Sequence, residues 1–134
     1  MRKLISLLTL SGIVLTTHAA DIVSDQQPIR LTFPPGETSI TVSGSMKDKA
    51  DQVLYVLRIR EAQTLDIEQI NENLHYVSTT LTNAKQQEVG TSDSPCQNSR
   101  HLSNSAAGDY ILKVKQCAKA EPWQGSFKLK IKVR

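Results

Sequence analysis

The chain has 134 residues and carries 16 lysines and arginines against 13 aspartates and glutamates, a formal net charge of +3 at pH 7. That length suits one domain, and so small a charge does not by itself call for a polyanionic partner. Aromatic residues make up 4% of the chain and do not interleave with the lysines as stacking platforms would, so nucleic acid is not an expected partner.

Met1-Arg2-Lys3 supplies a positive start, Leu4 to Leu15 an apolar run, and Thr17 and Ala19 small residues at the positions a signal peptidase reads. The run is too short to span a bilayer. Residues 1–19 therefore read as a signal peptide cut after Ala19, and no cysteine follows the cut to carry a lipid. No membrane anchor is expected, and the mature chain should be exported to a bacterial periplasm or the medium. Residues 20–28 are polar and read as an N-terminal arm, leaving 29–134 for the folded domain.

Ile29-Arg30-Leu31-Thr32-Phe33 alternates as a first strand until Pro34-Pro35-Gly36 breaks it. Thr38 to Ser43 is β-branched and alternating, with Gly44 expected to end it, and Ser45 to Gln52 is a charged loop. Val53 to Arg60 is the most apolar stretch after the signal and should be a central strand, with Val53, Tyr55, Leu57 and Ile59 inward. Thr64 to Ile70 reads as a strand with Leu65 and Ile67 inward, although its spacing also permits a short helix. Asn71-Glu72-Asn73 turns the chain into a strand over Leu74 to Leu81, and the polar stretch from Thr82 to Ala107 has room for one weak strand near His101 and Leu102.

The last 27 residues carry the strongest period-two signal. Tyr110, Leu112 and Val114, and then Phe127, Leu129, Ile131 and Val133, point one way; Lys113, Lys115, Lys128, Lys130 and Lys132 point the other. A hairpin or neighbouring pair is the natural reading, with one apolar face on a core and one lysine face in water. Residues 110–134 hold seven basic side chains and one acid, Glu121. That excess suits either a solvated strand face or an anionic partner. Seven to eight short strands without a convincing long helix predict an all-β, single-domain antiparallel sandwich.

Cys96 and Cys117 are the two cysteines of the chain. In an exported protein one disulfide is the default, tying the polar loop to the end of the penultimate strand and contributing about 3 kcal/mol in the chain-entropy model. Their spacing matches neither a redox pair nor a structural zinc site. Asp48 and Asp51 lack the spaced oxygen ligands of a calcium loop, and His75 and His101 lack catalytic or metal-binding companions. No metal, cofactor or catalytic residue is expected, which makes an enzyme the weakest class.

Ile29 to Phe33 with Gly36, Thr41-Val42-Ser43-Gly44-Ser45-Met46-Lys47, Tyr55-Val56-Leu57 with Ala62-Gln63-Thr64-Leu65, and Ala107-Gly108-Asp109-Tyr110 to Val114 together resemble the bacterial pre-peptidase C-terminal-like domain. Within that group the chain is most similar to the periplasmic inhibitors of goose-type lysozyme. The resemblance implies a jelly-roll-like sandwich in which Ala62-Gln63 occupies the family's glycine-glutamine turn. It also implies a lysozyme partner, whose acidic cleft receives loops from one end of the sandwich. Here those loops would be Ser45 to Asp51 and Ala118 to Gly125. In place of the tyrosine and arginines that the resemblance implies they hold Lys47, Asp48, Lys49, Lys119, Glu121 and Trp123, and lysine lacks arginine's planar fork. Lys49, Lys119 and Trp123 would enter the cleft, while Lys47 and Lys115 steer by charge. Trp123 serves equally as an interface anchor or as a plug over the core. The other reading is a carbohydrate- or protein-binding accessory module, for which Trp123 and Tyr76 are the aromatic candidates.

Overall fold

The computed structural model describes residues 27–71 and 76–134. The expected signal peptide, most of the arm, and Leu74 and His75 at the start of one expected strand lie outside these residues. The described residues hold nine strands: β1 (Ile29–Arg30), β2 (Ser39–Met46), β3 (Gln52–Ile59), β4 (Leu65–Gln69), β5 (Val77–Thr82), β6 (Glu88–Val89), β7 (Ser99–Leu102), β8 (Gly108–Gln116) and β9 (Gly125–Val133). One sheet runs β1-β3-β8-β5-β6 and the other β2-β9-β4-β7.

The pairings nest: β5 pairs with β6, β4 with β7, β3 with β8 and β2 with β9, all antiparallel. The domain is thus one long antiparallel ribbon, folded at the β5–β6 hairpin and rolled until β5 meets β8 and β4 meets β9. That is the jelly roll, with β1 and β6 at the edges of one sheet and β2 and β7 at the edges of the other. Strand β1 is the exception to antiparallel order, lying parallel to β3 on the sheet's margin.

Period-two alternation sets the core. Tyr55, Leu57 and Ile59 of β3, Leu65 and Ile67 of β4, Tyr110, Leu112 and Val114 of β8, and Phe127, Leu129 and Ile131 of β9 form one buried cluster between the sheets. The segment 64–70 is strand, not helix, since only the extended form turns Leu65 and Ile67 to the same side. The first expected strand shortens to Ile29–Arg30, after which Leu31 and Phe33 pack on the core rim ahead of the Pro34-Pro35 break. The count exceeds the expected seven to eight because the polar segment after Thr82 supplies both β6 and β7.

Two expectations are overturned. Strands β8 and β9 do not pair; they occupy opposite sheets, so Lys113 and Lys115 face outward on one side of the sandwich and Lys128, Lys130 and Lys132 on the other. Alternation reports which side of a strand meets the core, and strands facing each other across a core share that pattern with strands lying side by side. Nor does Gly44 end a strand. It lies inside β2, opposite Phe127 of β9, where an added Cβ would stand 2.4 Å from the Phe127 Cζ and 3.0 Å from the Tyr55 hydroxyl.

At the Ala62-Gln63 turn Ala62 has φ of +60°, a left-handed conformation that costs an L-residue about 1–2 kcal/mol. Its N–H donates to the Ser105 carbonyl at 2.8 Å, and the Gln63 side chain accepts from the Arg60 N–H at 2.8 Å, so the surroundings hold the turn.

Two stability changes are expected in urea titration. Gly44→Ala should destabilise by about 1–3 kcal/mol through overpacking against the fully buried Phe127 ring, and Phe127→Leu in that background should recover part of the loss. Simple additivity of the two substitutions would show that the ring is not the obstacle. Ala62→Gly should stabilise by up to about 1 kcal/mol, the relief of the left-handed alanine less the entropy glycine adds to the unfolded chain.

Candidate partner-binding site

Antiparallel order sends the β2–β3, β4–β5, β6–β7 and β8–β9 connections to one end of the sandwich. Contacts among them make that end a unit. In the β2–β3 connection, Asp51 Oδ2 accepts from the Lys47 N–H at 2.6 Å and the Asp48 N–H at 3.3 Å, and Asp48 Oδ1 accepts from the Ala50 N–H at 2.8 Å. Both carboxylates thus serve the turn as local caps, the habit of short acidic side chains. Lys49 then reaches across: its ammonium donates to the Ala118 carbonyl at 3.4 Å and the Ala120 carbonyl at 3.2 Å. The two lysine-bearing loops named from the sequence therefore adjoin.

The β8–β9 connection is anchored from below. Gln116 is buried at the end of β8; its amide donates to the Trp123 carbonyl at 2.7 Å and its carbonyl accepts from the Trp123 N–H at 3.3 Å. Trp123 itself is 6% exposed and belongs to the core cluster. It is a plug, not a knob projecting into solvent, because Gln116 grips its backbone and the indole fills the end of the core. The Cys96–Cys117 disulfide is formed, with Cα atoms 5.3 Å apart, and the Cys117 N–H donates to the Tyr76 carbonyl at 3.0 Å. Across the same end, the Gln97 carbonyl accepts from the Thr79 N–H at 2.8 Å and its hydroxyl at 2.7 Å, and the Asn98 carbonyl accepts from the Gln69 N–H at 3.0 Å.

On this base Lys47, Asp48, Lys49, Lys119 and Glu121 are exposed. Lys119, Glu121 and Trp123 share a depression of about 400 Å³ with Tyr76, Cys96 and Pro122, in which Trp123 is part of the wall. Lys115 stands apart from the loops, on the outer face of β8 opposite Gln52 and Ser78, one step below this end. Tyr76, weighed in the sequence only for a carbohydrate face, is exposed beside the disulfide. An aromatic residue at a strand start gives no signal of which way it points.

The ion pairs found among the described residues lie elsewhere. The Asp66 carboxylate is 2.5 Å from His101 Nδ1 and also pairs with the Arg134 guanidinium. These contacts, His101 first and Arg134 second, hold its carboxyl below the usual carboxylate range. Arg30 makes a two-pronged bond to Asp109 at 3.1 and 3.2 Å and lowers that carboxyl likewise, with Arg58 adding to the field.

The described residues, nine strands rolled from one ribbon with lysine-bearing loops clasped at one end, define a jelly-roll sandwich. No family model matches the chain, and no curated protein sequence does. Solved structures do share the fold. One is Aeromonas hydrophila PliG, a periplasmic lysozyme inhibitor of g-type lysozyme, at 18% identity and a TM-score of 0.65, covering 80% of this chain and 96% of that one. Salmonella Typhimurium PliG, of the same description, aligns at 21% identity and a TM-score of 0.58 over 81% and 98%. The pre-peptidase C-terminal domain of a Bacillus anthracis collagenase aligns at 18% identity and a TM-score of 0.54 over 81% and 96%. At these identities the likeness is one of fold.

A carboxyl lowered in the folded state contributes stability above its unfolded pKa and loses it as the pH falls through the folded one. Asp66→Asn should therefore be less stable than wild type near neutral pH, with the gap closing as the pH drops below about 4. Urea midpoints measured along a pH series give the answer; a gap that persists undiminished to pH 2 would show that Asp66 acts by packing instead of charge.

Proposed function

We propose that this protein is a non-enzymatic inhibitor of lysozyme, most specifically of the goose type, acting in the periplasm or outside the cell. The observation that carries the reading is the fold likeness to two g-type lysozyme inhibitors over 96% and 98% of their lengths. The disulfide adds support for an oxidising, exported location. The likeness to a collagenase accessory domain is lower in TM-score, which leaves the accessory-module reading second.

In this reading the loop end meets the acidic substrate cleft. Lys119 and Glu121 make the direct polar contacts, with the edge of Trp123 forming part of the contact floor. Lys49 spends its ammonium on the Ala118 and Ala120 carbonyls and thereby sets the loop shape as well as contributing charge. Lys47, Asp48 and Lys115 shape the surrounding field. A surface already clasped by hydrogen bonds and a disulfide gives up little conformational entropy on binding.

The experiment is lysis of bacterial cell walls by goose-type lysozyme, with chicken-type and invertebrate-type enzymes as controls, titrated with the oxidised protein. Selective and saturable protection is expected, weakened by Lys119→Glu. Protection should also weaken as ionic strength rises, since lysine steering is screened beyond about 8 Å at 0.15 M salt. No protection at micromolar concentrations would rule out inhibition of that enzyme; equal protection at all salt concentrations would remove steering alone.

A further inference from the structure

Among the described residues three large apolar side chains are exposed: Ile29 at 53%, Ile70 at 41% and Tyr76 at 44%. Two of them bracket the β4–β5 connection, at the end of the sandwich that carries the lysine loops. Single exposed apolar residues are ordinary on protein surfaces, so exposure alone assigns nothing. What distinguishes Tyr76 is its setting. It is a shared wall of two hollows of about 400 Å³ each, one continuing over Cys96, Ala120, Pro122 and Trp123, the other over Pro95, Cys96 and Asn98. The side chain is a ridge with an apolar recess on either side.

The ridge stands on a fixed base. The Tyr76 carbonyl accepts from the Cys117 N–H at 3.0 Å, and Cys117 is bonded to Cys96, which lines both recesses. The next residue, Val77, is fully buried, and its N–H donates to the Gln69 side chain at 3.1 Å. A tyrosine presented this way supplies apolar area and a hydroxyl at small entropic cost, the profile of an interface hot spot. Lys119 lines the first recess, and Lys49 is hydrogen-bonded to the backbone of Ala120 in the same wall. The rim pairs Lys119 with Glu121 over a mostly apolar floor, which fits a partner surface that offers an apolar side chain with a carboxylate placed to meet Lys119.

We propose that Tyr76 is the anchor of the partner interface, and that the recesses on its two sides receive apolar side chains from the lip of a protein's acidic cleft. The assignment rests on the inhibitor reading and moves its centre from Trp123, which is buried, to Tyr76. Tyrosine's ring carries the contact, and Lys119 beside it favours a carboxylate on the partner.

The test compares Tyr76→Ser, Tyr76→Phe and Ile29→Ser with the wild type for inhibition of goose-type lysozyme, with thermal midpoints measured alongside. Tyr76→Ser should raise the inhibition constant at least about tenfold, Tyr76→Phe no more than about threefold, and Ile29→Ser not at all. The midpoints of the Tyr76 variants should match the wild type, since the side chain is exposed. Should Tyr76→Ser perturb folding, Ala120→Trp fills the first recess from its own wall and should produce a loss of similar size. Inhibition by Tyr76→Ser or by Ala120→Trp equal to that of the wild type overturns the anchor while leaving the inhibitor reading intact. Absence of inhibition by the wild type overturns both.

Discussion

The two sheets are held together by opposing columns of side chains, Tyr110, Leu112 and Val114 on β8 and Phe127, Leu129 and Ile131 on β9, with no polar group among them but the two-faced tyrosine. Each such side chain contributes roughly 1.5–3 kcal/mol when fully buried, so these two columns are a large part of what holds the sheets together. Their geometry is demanding. The Tyr110 hydroxyl must leave the core to donate to the Ala106 carbonyl at 2.7 Å, and the Phe127 ring must lie over a residue without a Cβ, Gly44. Because β8 is the central partner of both β3 and β5, and β9 of both β2 and β4, displacing either column would disturb pairings in both sheets. Such mostly long-range pairing also implies slow folding, as loop-closure entropy precedes the contacts that repay it.

The loop end inherits its rigidity from that core. Gln116, the last residue of β8, is buried and holds Trp123; the adjacent Cys117 binds both the Tyr76 carbonyl and Cys96. Two consecutive residues at a strand terminus therefore fix three connections. Lys49 and the Asp51 cap bring in the fourth loop from the opposite sheet's edge. Loops are usually the least constrained part of a sandwich, and here a described position in each of the four is held by a side chain, a disulfide or a strand end close to the core.

Much of the fold was legible in the sequence because alternation survives in β3, β4, β8 and β9, where one face is buried and the other wet. The disulfide was legible from the signal-like start and the cysteine count, and it is formed. What was not legible depends on residues far apart in the chain. Gly44 looked like a strand end, since nothing near it reveals that Phe127 needs its space. Strand β6 is two residues long and carries no period. Asp66, His101 and Arg134 meet only after β4 has been placed between β7 and β9. At the candidate site, a family resemblance places both lysine loops at one end of the sandwich, but the reach of Lys49 across to the second loop, the burial of Trp123 and the prominence of Tyr76 depend on which way side chains leave irregular segments, and no pattern encodes that.

The distribution of charge illustrates the same limit and gives it a functional meaning. Seven basic residues in the last 25 look like one cationic surface, yet the sandwich divides them: Lys113 and Lys115 face out from one sheet, Lys128, Lys130 and Lys132 from the other, and only Lys119 sits in the loop end. The arginines are mostly committed, Arg30 and Arg58 to Asp109, Arg134 to Asp66. Their planar forks suit fixed pairing with carboxylates of the same chain. Lysine, a hydrated point charge on a flexible stem, suits attraction at a distance better than a fixed bond. In the inhibitor reading Lys119, which lines the first recess beside Glu121, would therefore attract a partner carboxylate while Tyr76 holds the partner by apolar contact, which predicts that Lys119→Glu acts mainly on association and Tyr76→Ser mainly on dissociation.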